Sequence, residues 1–197
     1  MASGKNVAVF LDRDGTIVEE KGHITSEDDI ALLPGATDAL KRIKLLGYKL
    51  IVITNQSSVA RGINTEEKLK QINQRMIDQL AKEGPLLDAV YYCPHLKDGV
   101  VKQYSISCEC RKPGNGMIIK ASSDQNLDLT KSFFIGDSVR DMKAAKKSGV
   151  TSIFILTGYG ATHLKEFGKP HEADVVVEDL LAASAWITKV HGSSVNP

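Results

Sequence analysis

The sequence carries no surplus charge of either sign: 25 Lys and Arg stand against 24 Asp and Glu, a net charge of +1. A dedicated nucleic-acid binder, which needs a basic excess for phosphate contacts, is therefore not expected. Long apolar runs are also missing. Stretches such as Lys49–Thr54, with its Leu-Ile-Val-Ile centre, fall far short of the roughly 20 residues that cross a bilayer, and no membrane partner is expected. The N-terminal MASGKNVAVFLDRD reaches acidic residues too early for a secretory leader, and cysteine is scarce and odd in number, three in all. Both features point to the cytoplasm. Internal repeats and long linkers are absent too. The expectation is one domain over residues 1–190, working as a monomer, with 191–197 as a flexible polar tail. What is present, 42% hydrophobic and 25% charged residues, suits one ordinary buried core.

Short β-branched apolar runs alternate with longer amphipathic stretches, the pattern of a βαβα chain. Strands are predicted at Val7–Leu11, Lys49–Thr54, Leu87–Tyr92, Ser132–Ile135, Ser152–Leu156 and Asp174–Val177. Helices are predicted from Pro34-Gly35 to Gly47, from Asn64-Thr65 to Gly84, and over Met117–Ser123, Val139–Ser148 and Asp179–Val190. Residues 93–112 read as an irregular loop. The fold class is therefore α/β: an open, doubly wound, mostly parallel sheet with helices on both faces. His163, His171 and His191 have no partner at ligand spacing and are expected in exposed loops, while Leu180, Leu181, Trp186 and Ile187 fall on a core stripe.

In such a sheet, ligands bind beyond the carboxyl ends of the strands. Three of the predicted strands end there in polar clusters: LDRDGT, ITNQSS and IGDSVRD. Asp12 and Asp14 share one side of an extended segment before Gly15 lets the chain turn, which sends Arg13 the other way, toward the surface. Asp137 and Asp141 add a second pair. Like charges 4 Å apart repel by about 4 kcal/mol at an effective dielectric of 20, so four acids in one crevice need a cation. Magnesium fits best, since it takes few carboxylates and bridges to phosphate oxygens. A lone D-x-D, by contrast, reads as a helix cap or a solubilising loop.

The cysteines form a second cluster. Cys93 and His95, then Cys108 and Cys110, make a C-x-H-x12-C-x-C pattern, which supplies the four closed ligands of a structural zinc site. Disulfides are the competing reading, although three thiols cannot all pair; chance spacing is the third. A loop with this little apolar mass needs an external clamp to offset its ordering entropy. Since Arg111 and Lys112 follow Cys110 directly, fixing the loop would set two cations at the mouth of the crevice.

Taken together, D-x-D-G-T, Thr54-Asn55, Lys112 and G-D-x-x-x-D resemble, in order, the four signatures of the haloacid-dehalogenase-like phosphohydrolases. The resemblance implies that Asp12 is the nucleophile and Asp14 the general acid and base, with Thr54, Asn55 and Lys112 on the transferring phosphoryl group. It also implies magnesium held by Asp12, the Asp14 backbone carbonyl and Asp137, with Asp141 behind them. Only 40 positions separate Asp14 from Thr54 and 58 separate Thr54 from Lys112, which leaves no room for a large cap domain. Within the superfamily, FLDRDGTI, ITNQSSVARG, YYCPH, CECRKP and IGDSVRDMKAA look more like the D-glycero-D-manno-heptose 1,7-bisphosphate phosphatases than the histidinol-phosphate phosphatases. That likeness implies a small phosphorylated sugar as partner and loss of its 7-phosphate. Its substrate contacts would come from Glu20, Lys21, Gly22 and His23, from Thr54 to Ser57 including Gln56, and from Arg61, Arg111, Lys112 and Ser138. Many heptose enzymes carry Lys where Ser138 stands, so one cationic contact is expected to be lost. A non-catalytic binding protein that uses its zinc loop as a partner surface is the reading from another class.

Overall fold

The computed structural model describes residues 4–85 and 87–193. Six strands form one sheet: β1 (Ala8–Leu11), β2 (Lys49–Asn55), β3 (Ala89–Cys93), β4 (Phe133–Gly136), β5 (Thr151–Ile155) and β6 (Val175–Val177). Their order is β3-β2-β1-β4-β5-β6, with every neighbouring pair parallel. The helices are α1 (Ala36–Leu45), α2 (Glu66–Glu83), α3 (Gly116–Gln125), α4 (Val139–Lys147), α5 (Gly160–Phe167) and α6 (Leu180–Ser193).

Strand alternation builds the two layers. Val9 and Leu11 of β1 pack with Leu40 of α1, Met76 of α2 and Ile187 of α6. Ala8 and Phe10 point the other way, onto Ile118 of α3 and Ala144 of α4. All four β1 residues are wholly buried, as a strand covered on both faces requires. Phe10 and Phe134 stack in the second layer with centroids 6.3 Å apart, and burying each ring contributes about 2 kcal/mol.

The chain starts in the middle of the sheet, moves outward through β2 and β3, and returns to build β4, β5 and β6 on the other side. The carboxyl ends of β1 and β4 therefore flank the point where the winding reverses, which is where an open α/β sheet binds ligands. No helix among the described residues is long and apolar enough to cross a membrane.

Two expectations at the C-terminal side are corrected. Helix α5 lies in a segment the sequence pattern left as loop, because it has no side-chain cap and buries only Gly160. His163 sits on it half-buried, its ring 5.8 Å from that of Phe154 and 5.1 Å from that of Phe167. Helix α6 continues past Val190 through His191 and Gly192. Tyr48 holds this extra turn: its hydroxyl is 3.3 Å from His191 Nδ1, with the two rings edge-on. The rest of the expected tail, 194–197, lies outside the described residues. His171 is exposed in a turn.

Candidate active site

Asp12 follows the last residue of β1, and its carboxylate turns toward the end of β2. Lys112 Nζ lies 2.9 Å from Asp12 Oδ2 and 2.6 Å from Asp141 Oδ1, and it donates a hydrogen bond of 2.8 Å to the Ile53 carbonyl. Two carboxylate oxygens and one carbonyl oxygen thus surround the ammonium, and the side chain is 2% exposed. Burial alone would lower the Lys112 pKa, but the facing carboxylates outweigh it and hold the ammonium charged. The expectation of two cations at the mouth is halved: Arg111 lies there, while Lys112 is the floor.

Asp137, at the end of β4, and Asp141, in the first turn of α4, complete the cluster. One carboxylate oxygen from each of Asp12, Asp137 and Asp141 lies within 4.8 Å of the others. Asp141 is fixed by a capping box: its Oδ2 accepts from the backbone N–H of Ser138 at 3.1 Å and from its hydroxyl at 2.6 Å. Asp137 Oδ2 accepts from the Tyr159 N–H at 2.8 Å. A Cβ on Gly15 would sit 2.2 Å from Asp137 Oδ2, and one on Gly158 would sit 2.1 Å from it. Both glycines also adopt positive φ, +74° and +54°, so only glycine lets the two loops close over this carboxylate.

Three carboxylates face one ammonium, which leaves two negative charges in a buried place. The imbalance shows in the acids themselves. Burial, opposed by Lys112 and reinforced by Asp141, pushes Asp12 up to about 7; burial, with Asp12 and Asp141 adding, pushes Asp137 up to about 8. A divalent, oxygen-seeking cation is what this donor set fits.

Asp14 stands apart. Its carboxylate is gripped by Arg13, with Nε and Nη2 at 3.0 to 3.1 Å, and by the Gln56 amide at 2.8 Å. Arg13 is therefore not the surface residue expected. Strand β1 ends at Leu11, so alternation no longer applies at Arg13, and its side chain turns inward to 1% exposure. Gln56 also donates 2.8 Å to Thr54 Oγ1. Asn55 is largely committed: its amide donates to the Lys112 carbonyl and its carbonyl accepts the Lys112 N–H, each at 3.0 Å.

Asp12, Asp14, Thr54, Asn55, Gln56, Lys112 and Asp137 line a cavity of about 290 Å³, together with Glu20, Gly22, His23, Ser57, Arg61, Arg111, Ser138, Arg140 and Tyr159. Lys21 is not among them; its ammonium bonds the Asp29 carbonyl at 2.9 Å and pairs with Glu19. Arg140 and Tyr159 are the additions that sequence reading missed. The Ser138-x-x-Asp141 capping box was the available signal, since a helix that begins there places Arg140 in its first turn, beside the crevice. Arg140, two residues beyond Ser138, brings a guanidinium to the same cavity.

The second cluster is equally close. Cys108 Sγ lies 2.9 Å from Cys110 Sγ and 3.5 Å from Cys93 Sγ, and Cys110 lies 3.1 Å from Cys93. His95 Nδ1 is 3.3 Å from Cys110 Sγ. None of the cysteines is in a disulfide, so that reading is set aside. Burial raises the Cys93 and Cys110 thiols; at Cys108 burial is outweighed by hydrogen bonds from the other two sulfurs, which bring it below its ordinary value. Three sulfurs and one imidazole nitrogen could hold zinc with no open position. Arg111 Nη1 donates to the His95 carbonyl at 3.2 Å, which ties the cavity wall to this quartet.

Comparison with known proteins agrees with this geometry. Residues 109–183 match the HAD-hydrolase-like family model. The D-glycero-beta-D-manno-heptose-1,7-bisphosphate 7-phosphatase of Photorhabdus laumondii is 44% identical over 152 residues, 77% of this chain and 81% of that one. Its counterpart from Salmonella typhi is 37% identical over 92% of this chain and 95% of its own. The crystal structure of the D,D-heptose 1,7-bisphosphate phosphatase from B. bronchiseptica, complexed with magnesium and phosphate, superposes with a TM-score of 0.83 at 32% identity, covering 93% of this chain and 99% of that one. With relatives 37% and 44% identical that cover most of both chains, the chain belongs to the haloacid-dehalogenase-like phosphatases, in the family of the heptose 1,7-bisphosphate 7-phosphatases.

Proposed function

We propose that the chain removes the 7-phosphate of D-glycero-D-manno-heptose 1,7-bisphosphate through an aspartyl-phosphate on Asp12. The observation that carries the bisphosphate reading is the cavity wall. Arg61, Arg111 and Arg140 line the cavity that holds Asp12, and no ion pair among the described residues involves any of them. Burial, together with the positive charges of Arg140 and Arg61, lowers the pKa of Arg111. Three guanidinium groups lining one cavity, none of them in an ion pair, suit a second phosphate, which their planar forks can grip.

The steps follow from the residues. An oxygen of Asp12 attacks phosphorus, the bond from phosphorus to the sugar oxygen breaks, and Asp14 gives that oxygen its proton. Water then attacks phosphorus while Asp14 takes a proton from it; the bond to Asp12 breaks, returning a carboxylate and inorganic phosphate. Lys112 balances charge on the transferring group, and Thr54, whose hydroxyl hydrogen is free of Gln56, donates to it. Asn55 holds Lys112 in place. Asp12, the Asp14 carbonyl and Asp137 would hold Mg2+, which when bound neutralises the charge that repels an incoming phosphate; Cys93, His95, Cys108 and Cys110 would hold zinc, which orders the loop that carries Arg111. As part of the same proposal the protein is a monomer and works in the cytoplasm, the compartment being supported by three unpaired thiols whose oxidation would destroy their site.

Turnover of heptose 1,7-bisphosphate beside histidinol phosphate, with Mg2+ present and the product followed by phosphorus NMR, tests this. The expected product keeps the 1-phosphate. Release of the 1-phosphate, or faster turnover of histidinol phosphate, would overturn the substrate assignment.

A further inference from the structure

Arg13 is the largest fully buried side chain described, and none of the steps above uses it. Its surroundings account for every donor group of its fork. Nε donates 3.1 Å to Asp14 Oδ1, and Nη2 donates 3.0 Å to both oxygens of the same carboxylate. Nη1 donates 2.9 Å to Asn73 Oδ1. Asn73 is itself unusual: it is an amide 5% exposed on the face of α2 that otherwise buries Leu69, Ile72, Met76 and Leu80. A polar group on such a stripe needs a partner, and Arg13 is the one it meets. A buried arginine therefore joins the interior face of α2 to the carboxylate of Asp14.

The same contacts separate Asp14 from its neighbours. Asp12, Asp137 and Asp141 crowd together, whereas Asp14 is not part of their group. The Arg13 fork holds both of its carboxylate oxygens, and Gln56 completes the seat. The geometry points to Arg13 as a positioning residue for proton transfer: anchored by Asn73, it keeps the Asp14 carboxyl away from the cation-binding acids and aimed at the leaving oxygen. This inference rests on the phosphatase reading. A misplaced general acid is costly only when the leaving oxygen needs a proton. In the first step the phosphorus–oxygen bond breaks and its electron pair goes to that oxygen; a sugar alkoxide must be protonated by Asp14, while 4-nitrophenolate departs without a proton.

The test compares kcat/KM on heptose 1,7-bisphosphate and on 4-nitrophenyl phosphate, in Mg2+, for the wild type, Arg13→Lys and Asn73→Leu. Lysine keeps the charge and loses the fork; leucine removes only the anchor. General acid catalysis contributes about 10²- to 10⁴-fold, so the ratio of sugar to aryl rate constants should fall about tenfold or more in Arg13→Lys, and by a smaller factor in Asn73→Leu. Equal losses on both esters, or none on either, would overturn the assignment. If Arg13→Lys does not fold, the Asn73→Leu ratio decides alone. A wild type inactive on both esters would instead refute the phosphatase reading itself.

Discussion

At Asp12 and Asp137 the decisive quantity is charge. Unfolded, both acids ionise near 3.8, whereas in the folded chain without a cation they hold protons up to about 7 and about 8. Between roughly pH 4 and pH 8 the folded state thus binds protons the unfolded state releases, and the stability these two groups confer declines as pH rises. A divalent ion binds the ionised form and reverses the trend. Mg2+ is expected to raise Tm more at pH 8 than at pH 6, and to release protons on binding, which calorimetry in two buffers would register; a pH-independent Tm shift would contradict the charge account. Asp12→Asn removes one of the crowded acids along with the nucleophile. Turnover should drop on the order of 10³-fold or more, and acid quenching with labelled phosphate ester should trap no phosphoenzyme, while Tm without added metal should rise. Substantial residual turnover would refute the nucleophile. The motif acids could be read from the sequence because their types and spacing are constrained by chemistry. Arg13 and Asn73 could not, because their roles depend on where a turn and a helix aim their side chains, and Arg140 was marked only indirectly, by the capping box that starts its helix.

The thiol loop shows what one element contributes. Cys93 closes β3 and the other ligands come from the irregular segment after it, so a bound ion would tie that segment to the sheet. Arg111 hangs from the loop by the His95 carbonyl, while Lys112 is held separately by Asn55. Cys108→Ser should therefore raise KM about tenfold or more with a smaller loss in kcat, alongside a lower Tm and less than one zinc per chain by elemental analysis; full zinc content would exclude this ligand set. Elements with an apolar stripe or a β-branched run, such as α2 and β2, were predicted nearly to their ends. Helix α5 has no side-chain cap and buries only Gly160, so little in its sequence marks it. The extension of α6 was hidden because its hold, Tyr48 on His191, spans 143 positions of sequence.

For the molecule as a whole, the sequence implies a doubly wound sheet, but the order of its strands rests on contacts between segments far apart, which no local pattern records. The same limit applies to charge. A net charge of +1 averages over the chain and conceals that Arg13 and Lys112 are neutralised in the interior while Arg61, Arg111 and Arg140 line one opening. The field a substrate meets is set by that distribution. Screening then becomes a test, because the Debye length shrinks from about 10 Å at 0.1 M salt to about 3 Å at 1 M. On the proposed reading a bisphosphate engages the arginines with one phosphate and Lys112 with the other, so its kcat/KM should fall several-fold between low and high salt. A monophosphate ester of similar size, which meets the buried lysine alone, should fall less. In Arg61→Gln/Arg140→Gln the bisphosphate slope should flatten toward the monophosphate's. Parallel slopes for the two esters in the wild type would mean that the arginine wall does not read the second phosphate, and the preference for a bisphosphate would need another source.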